Sequence, residues 1–184
     1  MMIIKICLLG DGAVGKTALR ERYLGKQFTS NYIMTIGADF AVKALTINER
    51  PAKFQIWDLA GQPRFSSVRE LYYRGSMGAL LIFDVTRPDS FINQRNWIDE
   101  LWKSNGKGPV PLVILGNKSD LRGESPDEIS NEQAIKYSQD LSKETLPSGF
   151  KTPYYETSAK SGQNVDEAFQ VLGKSILSFV GAQQ

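Results

Sequence analysis

The chain has 184 residues, 41% hydrophobic and 23% charged, a balance that fits one globular core and excludes a disordered chain. A formal net charge of +2 announces no broad basic face for nucleic acid, and the absence of histidine removes histidine-ligated zinc and histidine bases. The single cysteine, Cys7, cannot close an internal disulfide, which points to the reducing cytosol.

The first segment, Ile3 to Leu9, reads as a buried strand and is followed by "GDGAVGKT" at 10–17 and a short helix over Thr17–Leu24. "DFAVKALTI" at 39–47 alternates apolar and polar residues. A turn at Asn48–Pro51 leads to "KFQIWD", so the two segments are expected to pair as an antiparallel hairpin. "MGALLIFDV" at 77–85 is an uninterrupted apolar run, as for a strand covered on both faces. The run "GALLIF" within it is far too short to cross a bilayer. Ser90 is expected to cap a helix to about Ser104, with Phe91, Trp97, Ile98, Leu101 and Trp102 on its apolar side.

"PLVILG" at 111–116 reads as the next buried strand. Ser130 with Gln133 forms a capping box for a helix to about Leu141, and the polar "SKETLPSGFKTP" then precedes a short strand over Tyr154–Thr157. Asn164 and Glu167 suggest a further cap, and Val165, Ala168, Phe169, Leu172, Ile176 and Val180 form one helical stripe. Alternating strands and helices imply an α/β sandwich with a mostly parallel sheet, and 1–184 is read as a single domain. The N-terminus shows no secretory pattern and no glycine for myristoylation, and the closing "VGAQQ" has no cysteine for prenylation. Any membrane contact is therefore expected to be indirect, and the expected location is cytoplasmic or peripheral to a membrane.

Gly10 to Thr17 satisfies G-x-x-x-x-G-K-[ST] between a strand and a helix, the context in which backbone N–H groups and a helix N-terminus cradle phosphates. Lys16 would then serve the β- and γ-phosphates and Thr17 a Mg²⁺ ion. The plain alternative is a glycine-rich turn with an exposed lysine. "LGNKSD" at 115–120 could choose the base: an ionised Asp120 accepts from the N1–H and 2-amino groups of guanine, whereas adenine offers neither donor. Asn117 could tie the base edge to the loop and the Lys118 stem could cover its face. In "TSAK" at 157–160, the Ala159 N–H could meet the base carbonyl, with Lys160 beside it. In "DLAGQ" at 58–62, Asp58 could reach the metal, Gly61 could offer an N–H to a γ-phosphate, and Gln62 could orient the attacking water. Taken singly, each of these three fragments also reads as an ordinary polar loop.

The four segments, in this order over nearly the whole chain, resemble the small GTPases of the Ras superfamily. "TIGADF" (35–40), "FQIWDLAGQPRF" (54–65), "YYRGSMGALLIFDVT" (72–86) and "ETSAK" (156–160) are similar to Rab members in particular. The resemblance implies a P-loop NTPase three-layer sandwich, with six strands, one of them antiparallel, and about five helices. It implies GTP or GDP bound with Mg²⁺, the ion held through Thr17, Thr35 and Asp58. Gly12, Ala13, Val14, Gly15, Lys16, Thr17 and Ala18 would surround the phosphates. Phe28 would pack on the guanine, with Ser158 joining Ala159 and Lys160 at the base. Lys16, Thr35, Gly61 and Gln62 would carry catalysis. Phe40, Trp57 and Tyr72 match an exposed aromatic triad that Rab proteins present to effectors, although aromatics at such positions are also ordinary core residues.

The resemblance further implies an exchange factor, a GTPase-activating protein and effectors as partners of a monomer. No arginine in switch I offers a built-in finger, so slow unaided turnover is expected. Departures from the pattern are Leu59 and Pro63 around "AGQ", Ala13 in the phosphate loop, and the longer stretch at 142–153. Two rival readings are a nucleotide-binding scaffold without hydrolysis and a P-loop ATPase or kinase.

Overall fold

Strand β1, Met2–Leu9, sorts its side chains to two faces: Ile4, Ile6 and Leu8 join one apolar cluster while Cys7 and Leu9 join the other. The computed structural model describes residues 1–30 and 34–182; Gln183 and Gln184 of the tail considered above lie outside them. In chain order the remaining elements are α1 (Lys16–Tyr23), β2 (Ala38–Ile47), β3 (Arg50–Leu59), α2 (Ser66–Tyr73), β4 (Gly78–Asp84) and α3 (Pro88–Ile92). There follow α4 (Gln94–Ser104), β5 (Leu112–Asn117), α5 (Asn131–Thr145), β6 (Tyr154–Glu156) and α6 (Val165–Gly181).

The sheet runs β2-β3-β1-β4-β5-β6, and only β2 is antiparallel to its neighbour. Leu19 and Tyr23 of α1 and Phe169, Leu172 and Ile176 of α6 cover one face. Tyr73, Trp97, Ile98, Leu101, Ala134 and Leu141 from α2, α4 and α5 cover the other. This is the expected six-stranded, three-layer α/β arrangement. None of the described helices is long and apolar enough to cross a membrane.

The β2–β3 hairpin closes through Asn48 and Glu49, both at positive φ (48° and 63°), the primed geometry that matches strand twist. Pro51 therefore lies inside β3, opposite Thr46, and β1 pairing begins only at Ala52. The missing proline N–H is thus not demanded by β1. The capping box at Ser130 and Gln133 is present in full: Ser130 Oγ accepts from the Gln133 N–H at 3.2 Å, and Gln133 Oε1 accepts from the Ser130 N–H at 2.8 Å.

Several local expectations are corrected. Ser90 does not cap a helix; Pro88 opens α3 two residues earlier, its preset φ suiting a first helical position. The Ser90 hydroxyl instead accepts from the Asp84 N–H at 3.0 Å and donates to the Arg87 carbonyl at 2.7 Å, and Asn93 divides the expected single helix into α3 and α4. Asn164, in the left-handed region at φ 54°, makes no side-chain cap and donates to the Glu156 carbonyl at 2.8 Å. Helix α5 continues four residues past Leu141 into the polar stretch. Ser138 and Ser142 there donate to the Thr152 carbonyl (2.7 and 3.2 Å), and Thr145 donates to that of Phe150 (3.0 Å). The longer segment is thus folded back onto α5, with Phe150 edge-on to Phe179. Helix α2 has no counterpart among the elements read from the sequence.

Candidate functional site

The loop between β1 and α1 lies at the carboxyl end of the parallel strands, where open α/β sheets bind ligands. Gly15 is at φ 100°, and a Cβ there would come 2.3 Å from Asn117 Nδ2, so glycine is demanded both by conformation and by space. Ala13 adopts φ 63° without being glycine, a left-handed conformation that costs about 1 kcal/mol. Val14 is fully buried, and Ala18 packs against the core under the loop. Lys16 is buried too, and its Nζ donates to the carbonyls of Gly10 (2.7 Å) and Asp11 (2.8 Å). Burial pushes its ammonium down to about 8; Asp58 and Asp11 oppose that shift, while Arg69 and Arg87 add to it.

Thr17 Oγ1 donates to Asp58 Oδ2 at 2.5 Å and lies 3.1 Å from Thr35 Oγ1. Asp58 is fully buried at the end of β3, burial pushes its carboxyl up, and its Oδ1 has no hydrogen-bond partner. Two hydroxyls and a carboxylate with a buried, unsatisfied oxygen form a donor set that suits Mg²⁺, a hard cation that keeps waters and takes few carboxylates. No cluster of three or more acidic, cysteine or histidine ligands exists among the described residues.

Gly61 approaches the phosphate loop so closely that a Cβ would stand 2.5 Å from the Gly12 nitrogen and 2.6 Å from the Gly10 carbonyl oxygen. The Ala60 N–H donates to the Gly37 carbonyl at 2.9 Å, joining the segments on either side of the site. Gln62 is held through its side chain: Oε1 accepts from Arg64 Nε at 2.9 Å, and Nε2 contacts the Met34 sulfur. Pro63 opens a one-turn 3₁₀ helix, Pro63–Phe65, where its lost N–H is not missed. Leu59 is fully buried in the α2/α4 cluster.

At the other end of the loop, Asn117 bridges elements by donating to the Val14 carbonyl (2.9 Å) and accepting from Thr157 Oγ1 (3.2 Å). Ser158, fully buried, donates to Asp120 Oδ1 at 2.6 Å. Lys118, at φ 64°, pairs with Asp84 at 2.7 Å. Ala159 is buried beside Ser158 and Lys160 is exposed. Phe28, after α1, is 41% exposed. The "GKT", "DLAGQ", "NKSD" and "TSAK" segments therefore meet along one edge of the sheet.

Phe40, Trp57 and Tyr72 form a continuous ladder, with ring centroids 4.8 Å apart for Phe40–Trp57 and 5.2 Å for Trp57–Tyr72. Phe40 is exposed and the other two are half-buried. A second network was missed by the sequence reading. Arg69 of α2, almost fully buried, donates to the Ala60 and Gln62 carbonyls (3.0 and 2.8 Å), pairs with both oxygens of Glu100 and lies over the Trp97 ring. Trp97 Nε1 in turn donates to Asp11 Oδ1 at 2.8 Å, and Asn93 Nδ2 donates to Asp11 Oδ2 at 2.8 Å. Nothing in the spacing of these residues signals contacts over 80 positions; Trp97 reads simply as core.

A Ras family model matches residues 5–178. The Ras-related protein Rab7 of Drosophila melanogaster is 44% identical over 178 residues, covering 95% of this chain and 81% of that protein. The Ras-related protein Rab-13 of Canis lupus familiaris is 40% identical over 182 residues, covering 99% and 84%. The Ypt/Rab-type GTPase Rab7 of Gibberella zeae is 39% identical over 180 residues, covering 96% and 83%. With the phosphate loop, the Thr17–Asp58 pair and the "NKSD" and "TSAK" loops gathered at one sheet edge, the chain belongs to the Ras family, as a Rab-like small GTPase that binds and hydrolyses GTP as a molecular switch.

Proposed function

We propose that residues 1–184 act as one G domain that holds guanine nucleotide with Mg²⁺ at this edge and cycles between GDP- and GTP-bound states. The observation that carries the reading is buried Lys16, pairing with no carboxylate among the described residues, beside Thr17, Thr35 and the unsatisfied Oδ1 of Asp58. A buried cation and a buried, half-satisfied carboxylate side by side call for an anion and a metal. Thr17, Thr35 and Asp58 would hold the ion, which when bound neutralises charge on the phosphates.

Within the chain, Lys16 draws charge from the β- and γ-phosphates and the Gly61 N–H faces the terminal phosphate. Gln62, released from Arg64 and Met34, orients the attacking water. Asn117, Asp120, Ser158 and Ala159 select guanine, and Phe28 covers the ring. Positioning and charge do the work, so turnover is slow without help. An exchange factor, a GTPase-activating protein and effectors are the partners, the last engaging Phe40, Trp57 and Tyr72. The switch works as a monomer in the cytoplasm or at a membrane periphery, in traffic-type regulation, and neither nucleic acid nor ATP is its ligand. A scaffold without hydrolysis is the second reading, since Gln62 is engaged elsewhere in this structure.

Single-turnover hydrolysis separates the two. Gln62→Leu keeps the volume and loses the water-orienting amide, so GTP binding persists while the rate falls about tenfold or more. An unchanged rate would remove Gln62 from the chemistry.

A further inference from the structure

Arg87 follows β4 and directly precedes α3. Its backbone is pinned: the N–H donates to the Asp84 carbonyl at 3.0 Å, and its carbonyl accepts from both the Ser90 N–H (3.0 Å) and hydroxyl (2.7 Å). Pro88 follows and fixes the exit. The half-buried side chain crosses to the phosphate loop, where Nη1 donates to the Gly12 carbonyl at 2.8 Å. It pairs with no carboxylate among the described residues. The acids around it are committed: Asp84 to Lys118 and Thr86, Asp11 to Trp97 and Asn93.

We propose that Arg87 is a built-in arginine arm of the nucleotide site, anchored on Gly12 so that its remaining N–H groups meet the negative charge of the transferred phosphoryl group.

The proposal rests on the nucleotide-site reading above and adds a residue outside all four recognised segments. A guanidinium has five N–H donors and stays charged, and a single bond to a carbonyl leaves most of that capacity open. Lys16 and Arg87 are close enough for their charges to oppose one another. Two neighbouring cations without carboxylate partners are reconciled by an anion between them. Room is present: among the described residues, and apart from its chain neighbours, only Gln62 Cγ comes within 4 Å of a Cβ placed on Gly12, at 3.9 Å. In the reaction, the water oxygen bonds to the γ-phosphorus as the bond to the β,γ-bridging oxygen breaks. That electron pair leaves with GDP and the water's proton ends on the released phosphate. Arg87 exchanges no proton; it contributes charge alone.

The test compares wild type, Arg87→Ala and Arg87→Gln, full chain with Mg²⁺ and without an activating protein. Glutamine keeps a polar amide but no charge, and GDP dissociation reports whether the loop is still braced. Both variants are expected to hydrolyse GTP about tenfold or more slowly than wild type in a single turnover, the scale of losing one charge-stabilising donor. GDP dissociation from Arg87→Gln stays near the wild-type rate. The wild-type GDP complex takes up aluminium fluoride, a mimic of the transferred group, and shows it by tryptophan fluorescence; the variants do not. Wild-type hydrolysis and fluoride response in Arg87→Gln would overturn the proposal and leave Arg87 a brace. A wild type that retains GTP but never cleaves it would overturn the proposal while sparing the binding reading. A wild type that retains no guanine nucleotide would overturn both.

Discussion

Asp120 is oriented by Ser158, whose buried hydroxyl donates to Oδ1 at 2.6 Å. A carboxylate so held accepts two hydrogen bonds from a guanine edge, and an amide cannot accept both. Asp120→Asn should weaken GTP about 100-fold or more and improve binding of xanthosine triphosphate, whose base carries a carbonyl where guanine has an amine. Competition binding with the two triphosphates reads this directly, and unaltered selectivity would remove Asp120 from the base site. Cys7 belongs to the core rather than the site: fully buried and 3.0 Å from Ser76 Oγ, its thiol is pushed up to about 11, chiefly by desolvation. Between about pH 9 and 11 the unfolded chain has lost this proton and the native one keeps it, so stability falls as pH rises through that window. Cys7→Ala should make the fall in denaturant midpoint between about pH 8.5 and 10 shallower, the remaining slope coming from the buried tyrosines that both proteins share. Lys16, Thr17 and Asp58 were legible because their spacing is local to a motif. Arg87 and Asp11 were not, because their partners lie 75 to 86 positions away.

Helix α2 shows why an element can hide from the sequence. Of its apolar residues only Tyr73 is buried, while Leu71 is 76% exposed, so no apolar stripe announces the helix. It is held instead by polar contacts, Arg69 to Glu100 and to the Ala60 and Gln62 carbonyls, with the Tyr73 hydroxyl donating to Glu100 at 2.8 Å. The strands and α6 were readable because alternation or a helical stripe records burial; α2 and the start of α3 were not, since arginine and proline chemistry set them. Arg69→Ala removes the bonds to both carbonyls and takes from Glu100 its cationic partner, leaving it the Tyr73 hydroxyl. The loss should be about 2 kcal/mol, below the range for fully buried pairs because Glu100 keeps some solvent. Hydrolysis should slow as the Gln62 backbone loosens, with GDP affinity little changed. A full wild-type melting temperature and rate would show that the network does not restrain this segment.

At the scale of the molecule, the strand order matters more than any one contact. With β1 between β3 and β4, and β5 and β6 beyond, the loops after five parallel strands open on one edge, so segments distant in sequence meet. The sequence disclosed the segments and their order. Their meeting follows from the strand order, and the Arg69–Trp97–Asp11 connection behind them follows from the packing of α2 against α4 and of α4 on β4; neither could be read from spacing. The central claim is that this edge is a guanine-nucleotide site. Displacement of fluorescent GDP from the intact protein in Mg²⁺ tests it most directly. GTP should displace the probe at near-stoichiometric concentration, and ATP should fail at about a thousandfold excess, since adenine leaves Asp120 without donors. Equal displacement by ATP and GTP, or a probe that never binds, would contradict the account.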